Sequence, residues 1–435
     1  MSGGRWNARQ TLRRKRNRAR LENAAIVVLA VIALLLAGRT GMLQNTLPAL
    51  GGGQTVEGGY SVGPAIALTG QPPVRLMLQT KEGRFGVEYD QGAVDRLCGQ
   101  GMTELLDHSL RAMEPPASIS EEVWQQALTG GEGWAFYDYL DNILFNQQDR
   151  TGAGAGRFFL VTVRGGQADS VLFYNENERA FFSGKVRESV PFPAAAEEEA
   201  PNGARFAFED QSVAQTLSPY MMVLNDPPIC PVYAASDPIL DLDGAGWEEL
   251  LERLDFNVKA VSPYNTATGS VIREGADTLR VLNDGTLQYH NSENGELRYQ
   301  ALSGRERDLQ SKAEEILDRA TAPVRGPARF YCRSIRTLGD GQIELVFHYL
   351  LDGARVQMWG EGWAARFLFR DNGVTAYTIL MRSYEATAQT APLMPARQAA
   401  AAASAMGRRG AELQVAYQDM GEALVSASWT VREPR

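Results

Sequence analysis

Apolar and polar positions alternate most regularly at residues 278–291, TLRVLNDGTLQYHN. Leu279 and Val281 stand between polar neighbours, Asn283-Asp284-Gly285 reverses the chain, and Leu287 and Tyr289 resume the alternation. Period-two alternation on both sides of an Asx-Gly turn predicts a β-hairpin. Similar patterns predict strands at 74–80 and 84–90, joined by Lys81-Glu82-Gly83, and a meander at 157–163, 170–175 and 179–184. Residues 93–110 have helical spacing instead, with Leu97, Leu105, Leu106 and Leu110 available for one face. Ser120, followed by Glu121 and Glu122, predicts a capped helix start. WAFYDYLDNILF (134–145) is a third apolar segment. Together these elements predict an α+β domain over 71–190.

Residues 191–204, PFPAAAEEEAPNGA, break the pattern and read as an acidic linker or a long surface loop. Beyond them, prolines interrupt 205–240. Short amphipathic helices then alternate with runs of strands: a helix at 246–254 precedes the hairpin, and one at 311–322 precedes strands at 328–337, 342–352, 354–360, 364–373 and 374–385. A third, at 396–410, precedes strands at 412–420 and 423–433. A helix followed by antiparallel strands packs the helix on one face of a sheet. The expected division is a middle α+β domain at 205–305 and a C-terminal α+β domain at 306–435. The turn at Asp371-Asn372-Gly373 echoes the one at Asn283-Asp284-Gly285.

Charge adds topology. Of 43 basic and 52 acidic residues, eight and one fall within 1–23, which leaves 35 basic and 51 acidic residues, a net of −16, for the rest. Residues 24–38, AAIVVLAVIALLLAG, carry no charge. A basic tail (1–23) before an apolar run (24–40) predicts a single-pass signal anchor, with the tail in the cytoplasm and the body outside. A cleaved signal peptide is the alternative, because a full span takes about 20 residues. Residues 41–70, rich in Gly and Thr, read as a flexible stalk. An acidic body excludes nucleic acid as the expected partner.

The sequence offers little catalytic chemistry. His108, His290 and His348 are the three histidines, and no two have metal-ligand spacing. Cys98, Cys230 and Cys332 are too sparse for an exported disulfide scaffold and read as lone thiols; one bridge with one free thiol is the alternative. A Cys332–His348 pair is conceivable, since both lie on predicted strands of one domain. DLDGAGWEELL (241–251) places Asp241 and Asp243 like a calcium loop, but Ile239 and Leu250 fall where side-chain ligands belong, so it reads as a helix cap. The spaced glycines of TGAGAGR (151–157) precede a strand, not the helix a phosphate cradle needs. No catalytic, cofactor-binding or metal-binding residue is assigned, and no enzyme activity is expected.

The basic tail, single anchor and large α+β body, with the segment FNVKAVSPYNTATGSVIREGADTLRVLNDGTLQYHN (256–291), resemble the YycH/YycI proteins. These are membrane-anchored accessory regulators of the WalK (YycG) sensor histidine kinase of Gram-positive bacteria. HYLLDGARVQMWGEGWAARFLFRDNGVTAYTILMRSYE (348–385) is similar to the last sheet unit of that family. The resemblance implies a non-enzymatic regulator of a two-component system at the cell membrane. Its partner would be the kinase, and beyond it a paralogous regulator or a second copy of the chain. It also implies contact with the kinase through the transmembrane helix and the ectodomain, and the residues it carries over lie in the anchor: Ile26, Leu29, Ala33, Leu36 and Ala37 form one stripe at helical spacing, with Ala33 and Ala37 allowing close approach. An envelope scaffold or a cell-wall-acting enzyme is the alternative function. The acidic insertion at 191–204 departs from the family pattern.

Overall fold

Two largely antiparallel sheets carry the fold of the computed structural model, which describes residues 71–432 apart from 131–132, 145–156, 165–168, 176–178, 189–190, 262, 293–295, 361 and 409–411. For 141–144 and 157–164 it describes the backbone. The expected tail, anchor and stalk, and the glycines of TGAGAGR, lie outside the described residues. Among the described residues no helix is long and apolar enough to cross a membrane.

The first sheet contains β1 (Arg75–Gln79), β2 (Arg84–Glu88), β3 (Ala117–Ile119), β4 (Trp134–Leu144), β5 (Arg157–Arg164), β6 (Ser170–Asn175) and β7 (Ala180–Lys185), in the order β2-β1-β4-β5-β6-β7-β3. The helix expected at 93–110 is two helices, α1 (Gln91–Leu97) and α2 (Thr103–Ala112), around a π turn at Cys98–Met102. Gly101 causes the break: its φ is +111°, and a Cβ there would lie 3.2 Å from Pro193. The third helix, α3 (Glu121–Thr129), starts where Ser120 Oγ accepts a hydrogen bond from Val123 N. The apolar segment at 134 is a strand with both faces covered. Ala135, Tyr137 and Tyr139 join Leu97 and Leu106 in one core cluster, while Trp134 and Phe136 join Trp124 and Leu128 in another. A strand buried on both faces has no polar face to show, so residues 134–137 are an unbroken apolar run, and the carboxylate that follows them, Asp138, is itself buried.

The acidic segment 191–204 is packed against the first sheet. It holds a single turn of helix, α4 (Ala194–Glu197), whose Ala196 is buried in the same cluster as Leu97. The side chain of Asn202 accepts from Gly86 N (3.0 Å) and donates to Gly86 O (2.7 Å), in the manner of an added strand residue. A two-stranded ribbon, β8 (Arg205–Phe206) and β9 (Met222–Val223), follows.

The second sheet has thirteen strands. In chain order they are β10 (Cys230–Ser236), β11 (Tyr264–Thr266), β12 (Gly269–Glu274), β13 (Asp277–Leu282), β14 (Thr286–Asn291), β15 (Arg329–Thr337), β16 (Ile343–Leu351), β17 (Ala354–Met358), β18 (Ala365–Arg370), β19 (Gly373–Leu380), β20 (Ser383–Ala391), β21 (Glu412–Asp419) and β22 (Leu424–Arg432). The main path runs β11-β12-β13-β14-β19-β18-β16-β17-β21-β22-β10-β20, with β15 paired to β16. Within it β17 and β21 pair in parallel. Segments 205–305 and 306–435 therefore share one sheet, joined where β14 pairs β19 and where β10 pairs β20 and β22. The pairing sets the two Asx-Gly hairpins side by side, with Leu287 opposite Ile379 and Tyr289 opposite Tyr377. The run at 374–385 divides at Met381-Arg382 into β19 and β20.

Helices α5 (Gly244–Arg253) and α6 (Glu306–Thr321) cover one face of this sheet, as the helix-then-strands order predicts. Leu250, Leu254, Leu309, Ile316 and Leu317 meet Leu279, Leu287, Phe347 and Phe367 in the largest core cluster. Each such side chain, fully buried, contributes about 1.5–3 kcal/mol. Tyr289 stacks on Tyr377 at 4.9 Å and meets Tyr299 at 5.1 Å. Helix α7 (Ala396–Ala405) buries its alanines against Leu413 and the ribbon residue Val223.

Gly269 tests the hairpin packing. Its φ is +146°, and a Cβ would come within 1.9 Å of Val281 O. Gly269→Ala is expected to cost about 2–4 kcal/mol in urea denaturation. Gly275→Ala, with φ +59° and open space around it, is expected to cost about 1–2 kcal/mol.

Candidate functional site

The structure disperses most of the chemistry visible in the sequence. The stripe Ile26, Leu29, Ala33, Leu36 and Ala37 lies outside the described residues. His108, on α2, is 3.3 Å from Glu188 O, beside a cavity of about 270 Å³ that also involves Arg111, Met113 and Arg187. The cations there are already paired, Arg111 with Asp107 at 2.8 Å and Arg187 with Glu114 at 3.5 Å. Cys332 and His348 do not form a pair. Tyr331, not Cys332, stands opposite His348, so alternation sends the thiol into the helix-covered core and the imidazole to the other face. The three cysteines are free. Burial pushes the Cys98 thiol up to about 11 and the Cys230 thiol up to about 12, which keeps both protonated and unreactive. Asp243 caps α5 by accepting from Gly246 N at 2.8 Å, as expected of DLDGAG.

Two buried arginines organise the polar interior instead. Arg75, the first residue of β1, is 1% exposed. Its Nη1 donates to Asp138 Oδ2 (2.8 Å) and Glu412 Oε1 (3.5 Å), and its Nη2 to Tyr89 OH (3.3 Å). Glu88 Oε2 stands 3.9 Å from Nε, beyond hydrogen-bond reach. Asp138 and Glu88 come from the first sheet and Glu412 from the second, so one guanidinium ties the two together. Arg432 closes the network with bonds to Glu412 Oε2 (3.1 Å) and Leu140 O (2.9 Å), while Tyr89 OH accepts from Val415 N (2.9 Å). Burial pushes the Glu88 carboxyl from 4.5 up to about 7, against the pull of Arg75. Burial likewise raises Asp138. Burial would raise Glu412 too, but Arg432 and Arg75 outweigh it and hold that carboxyl below its ordinary range.

Arg382, between β19 and β20, is the second node. It makes a two-point contact with Asp419, Nε to Oδ2 at 2.9 Å and Nη2 to Oδ1 at 3.0 Å. It also donates to Asp237 Oδ1 (2.7 Å) and Glu422 O (3.1 Å), and lies 5.3 Å from the Trp359 ring. Tyr384 OH and Gly421 N satisfy the rest of Asp419. This node ties together the chain before α5, β21 and the β21–β22 turn. Neither arginine was singled out from sequence. The available signal was a lone charge inside an apolar run, VRLML at 74–78 and ILMRSY at 379–384.

The face of the second sheet opposite α5 and α6 has a different character. Register sets Arg280 in line with Gln288, Thr378, Arg366 and Val346. The next row runs Arg273, Thr278, His290, Ala376, Leu368, Glu344 and Arg336. Arg273, Arg280, Arg370 and His290 are exposed. Glu344 accepts from Arg366 Nε at 2.6 Å and from Arg336 Nε at 2.9 Å. Burial would raise the Glu344 carboxyl, but the two arginines hold it below its ordinary range. In an acidic body this patch of sheet is basic.

These elements define an α+β protein with helices on one face of a large, mainly antiparallel sheet and a smaller sheet tied to it through buried arginine. The fold is that of YycH. The chain is similar to the crystal structure of YycH from Bacillus subtilis, with a TM-score of 0.51 and 12% identity, over 85% of this chain and 95% of that one. The YycH-like fold bears out the resemblance read from 256–291 and 348–385. No family model matches the sequence, and no curated protein matches it.

Removing one partner of a buried ion network leaves the other charges unpaired. Arg75→Leu is expected to cost about 3–5 kcal/mol in urea denaturation at neutral pH. Glu88 has a folded value above its unfolded one, so the folded state holds an extra proton between pH 4.5 and about 7. Its contribution is most favourable below pH 4.5 and is lost as pH rises through 7. Glu88→Gln is therefore expected to flatten the fall in stability between pH 5 and 8, by on the order of 1–3 kcal/mol across that span.

Proposed function

We propose that this chain is a membrane-anchored, extracytoplasmic, non-enzymatic regulator of a two-component sensor histidine kinase of the WalK type. The observation that carries this reading is the YycH-like fold, which spans 95% of the YycH chain. Coverage of that extent means the likeness extends to the assembly of both sheets, not to one common motif. The sequence supports the same reading from the other end, through the basic tail and the uncharged run at 24–38.

In this reading the anchor and the body both touch the kinase. The stripe Ile26, Leu29, Ala33, Leu36 and Ala37 packs against a kinase membrane helix, where small residues permit close backbone approach. The rigid two-sheet body sets the position of the ectodomain contact. Regulation then works as a bias between kinase conformations, and requires different contacts with each of them. A paralogous regulator or a second copy can join the same assembly.

The test is kinase output in cells, read by a promoter under the cognate response regulator. Replacing residues 24–40 by an unrelated apolar helix, or deleting the body, is expected to change output. Ala33→Leu with Ala37→Leu is expected to shift it in the same direction as the exchanged anchor. Unchanged output in both the exchanged-anchor and the body-deleted strains, with the proteins present at normal levels, sinks the proposal.

A further inference from the structure

We infer that the basic face of the second sheet is a docking surface for an acidic protein segment whose carboxylates are spaced rather than contiguous. The inference is independent of the kinase reading, because the partner is defined by its chemistry alone. Four observations carry it.

First, the charge is concentrated. Arg273, Arg280, Arg336, Arg366 and Arg370 share this face with Glu344, while residues 24–435 carry a net charge of −16. A cluster of one sign on a body of the other sign is costly in self-repulsion and attracts its complement. Second, the charges are accessible. Arg273, Arg280 and Arg370 are exposed, and the side chains of Arg336 and Arg366 are 63% and 42% exposed. Third, the only carboxylate among the described residues of these strand faces works for the arginines. Glu344 is 3% exposed and accepts from both Arg336 and Arg366, so it fixes their guanidinium groups without offering an anion to the surface.

The fourth observation is spacing, and it selects the ligand. Arg273 and Arg280 stand on β12 and β13, and Arg366 and Arg370 on β18. Between them lie β14 and β19, which present Gln288, His290, Ala376 and Thr378. Strands are about 4.8 Å apart, so the two basic edges are separated by roughly 14 Å of neutral surface. An extended peptide advances about 3.3 Å per residue, so carboxylates about four residues apart reach both edges while the residues between rest on the neutral strip. A phosphate polymer, with a charge at every unit, gains nothing from that strip.

The test uses the full chain in micelles of a neutral detergent and fluorescence anisotropy of labelled peptides. One peptide carries two glutamate pairs separated by three neutral residues, and its isomer carries the four glutamates together. Inorganic polyphosphate is the competitor. The spaced peptide is expected to bind more tightly than its isomer, and to weaken about tenfold or more in Arg273→Glu/Arg280→Glu, with further weakening as salt rises. Arg273→Lys/Arg280→Lys, which keeps the charge, is expected to retain binding. If the Glu variant fails to fold by circular dichroism, Arg273→Gln/Arg280→Gln takes its place. Binding that survives these changes belongs to the basic tail and overturns the inference. Equal binding of the two peptides, polyphosphate binding without peptide binding, or arginine-dependent self-association of the chain in sedimentation also overturns it.

Discussion

Arg75 is the contact on which the assembly depends. Its guanidinium lies among carboxylates from two sheets, with Asp138 and Glu88 on one side and Glu412 on the other. Each of those charges would be expensive alone in the interior. Together they are tolerable, because Arg75 and Arg432 supply donors and Tyr89 and Gln414 add further hydrogen bonds. Such a network is a weak source of net stability compared with apolar packing. Its value lies in geometry, since a displaced sheet strands a buried charge. The apolar contacts around it, such as Val74 and Leu140 with Tyr331 and Leu350, tolerate small slips far better. The interface therefore has one favoured register, and Arg382 with Asp419 repeats the device within the second sheet.

A body fixed in this way holds its surfaces in a constant arrangement. The larger sheet assigns its two faces differently. One is filled by Leu250, Leu254, Leu309 and Leu317 and is closed to partners. The other, in the region of β12–β14, β18 and β19, carries exposed arginine on a regular grid. Period-two alternation places both faces in the same stretch of sequence, so a strand such as Ala365–Arg370 contributes Phe367 and Phe369 to the core and Arg366 and Arg370 to the surface.

Much of the architecture was legible from local pattern. The hairpin at 278–291, the caps at Ser120 and Asp243, and the helices followed by strands all depend on spacing and on hydrogen bonds between near neighbours. The misreadings were non-local. A continuous helix over 93–110 failed because Gly101 adopts φ +111° against Pro193, more than ninety residues away in the chain. The acidic segment 191–204 is a largely exposed surface loop, one of the two readings its composition allowed, but composition did not show that Ala196 and Asn202 fasten it to β2 and its neighbours. The candidate site fared worse. Arg75, Arg382 and Asp419 are ordinary residues in sequence, and the basic face comprises single arginines on separate strands. Neither makes a motif.

The sequence by itself determined the elements, their alternating faces, the charge asymmetry between the first 23 residues and the rest, and the resemblance in fold, because each follows from contacts along the chain or from composition. Only the tertiary structure decided which strands are neighbours. That choice depends on long-range pairing, such as β14 with β19 and β17 with β21, which local pattern does not encode. Docking of the two sheets places Glu412 beside Arg75 across 337 positions. Strand pairing gathers Arg273, Arg280, Arg336 and Arg366 onto one surface. Charges act through space, so their meaning was settled by the register of the sheet.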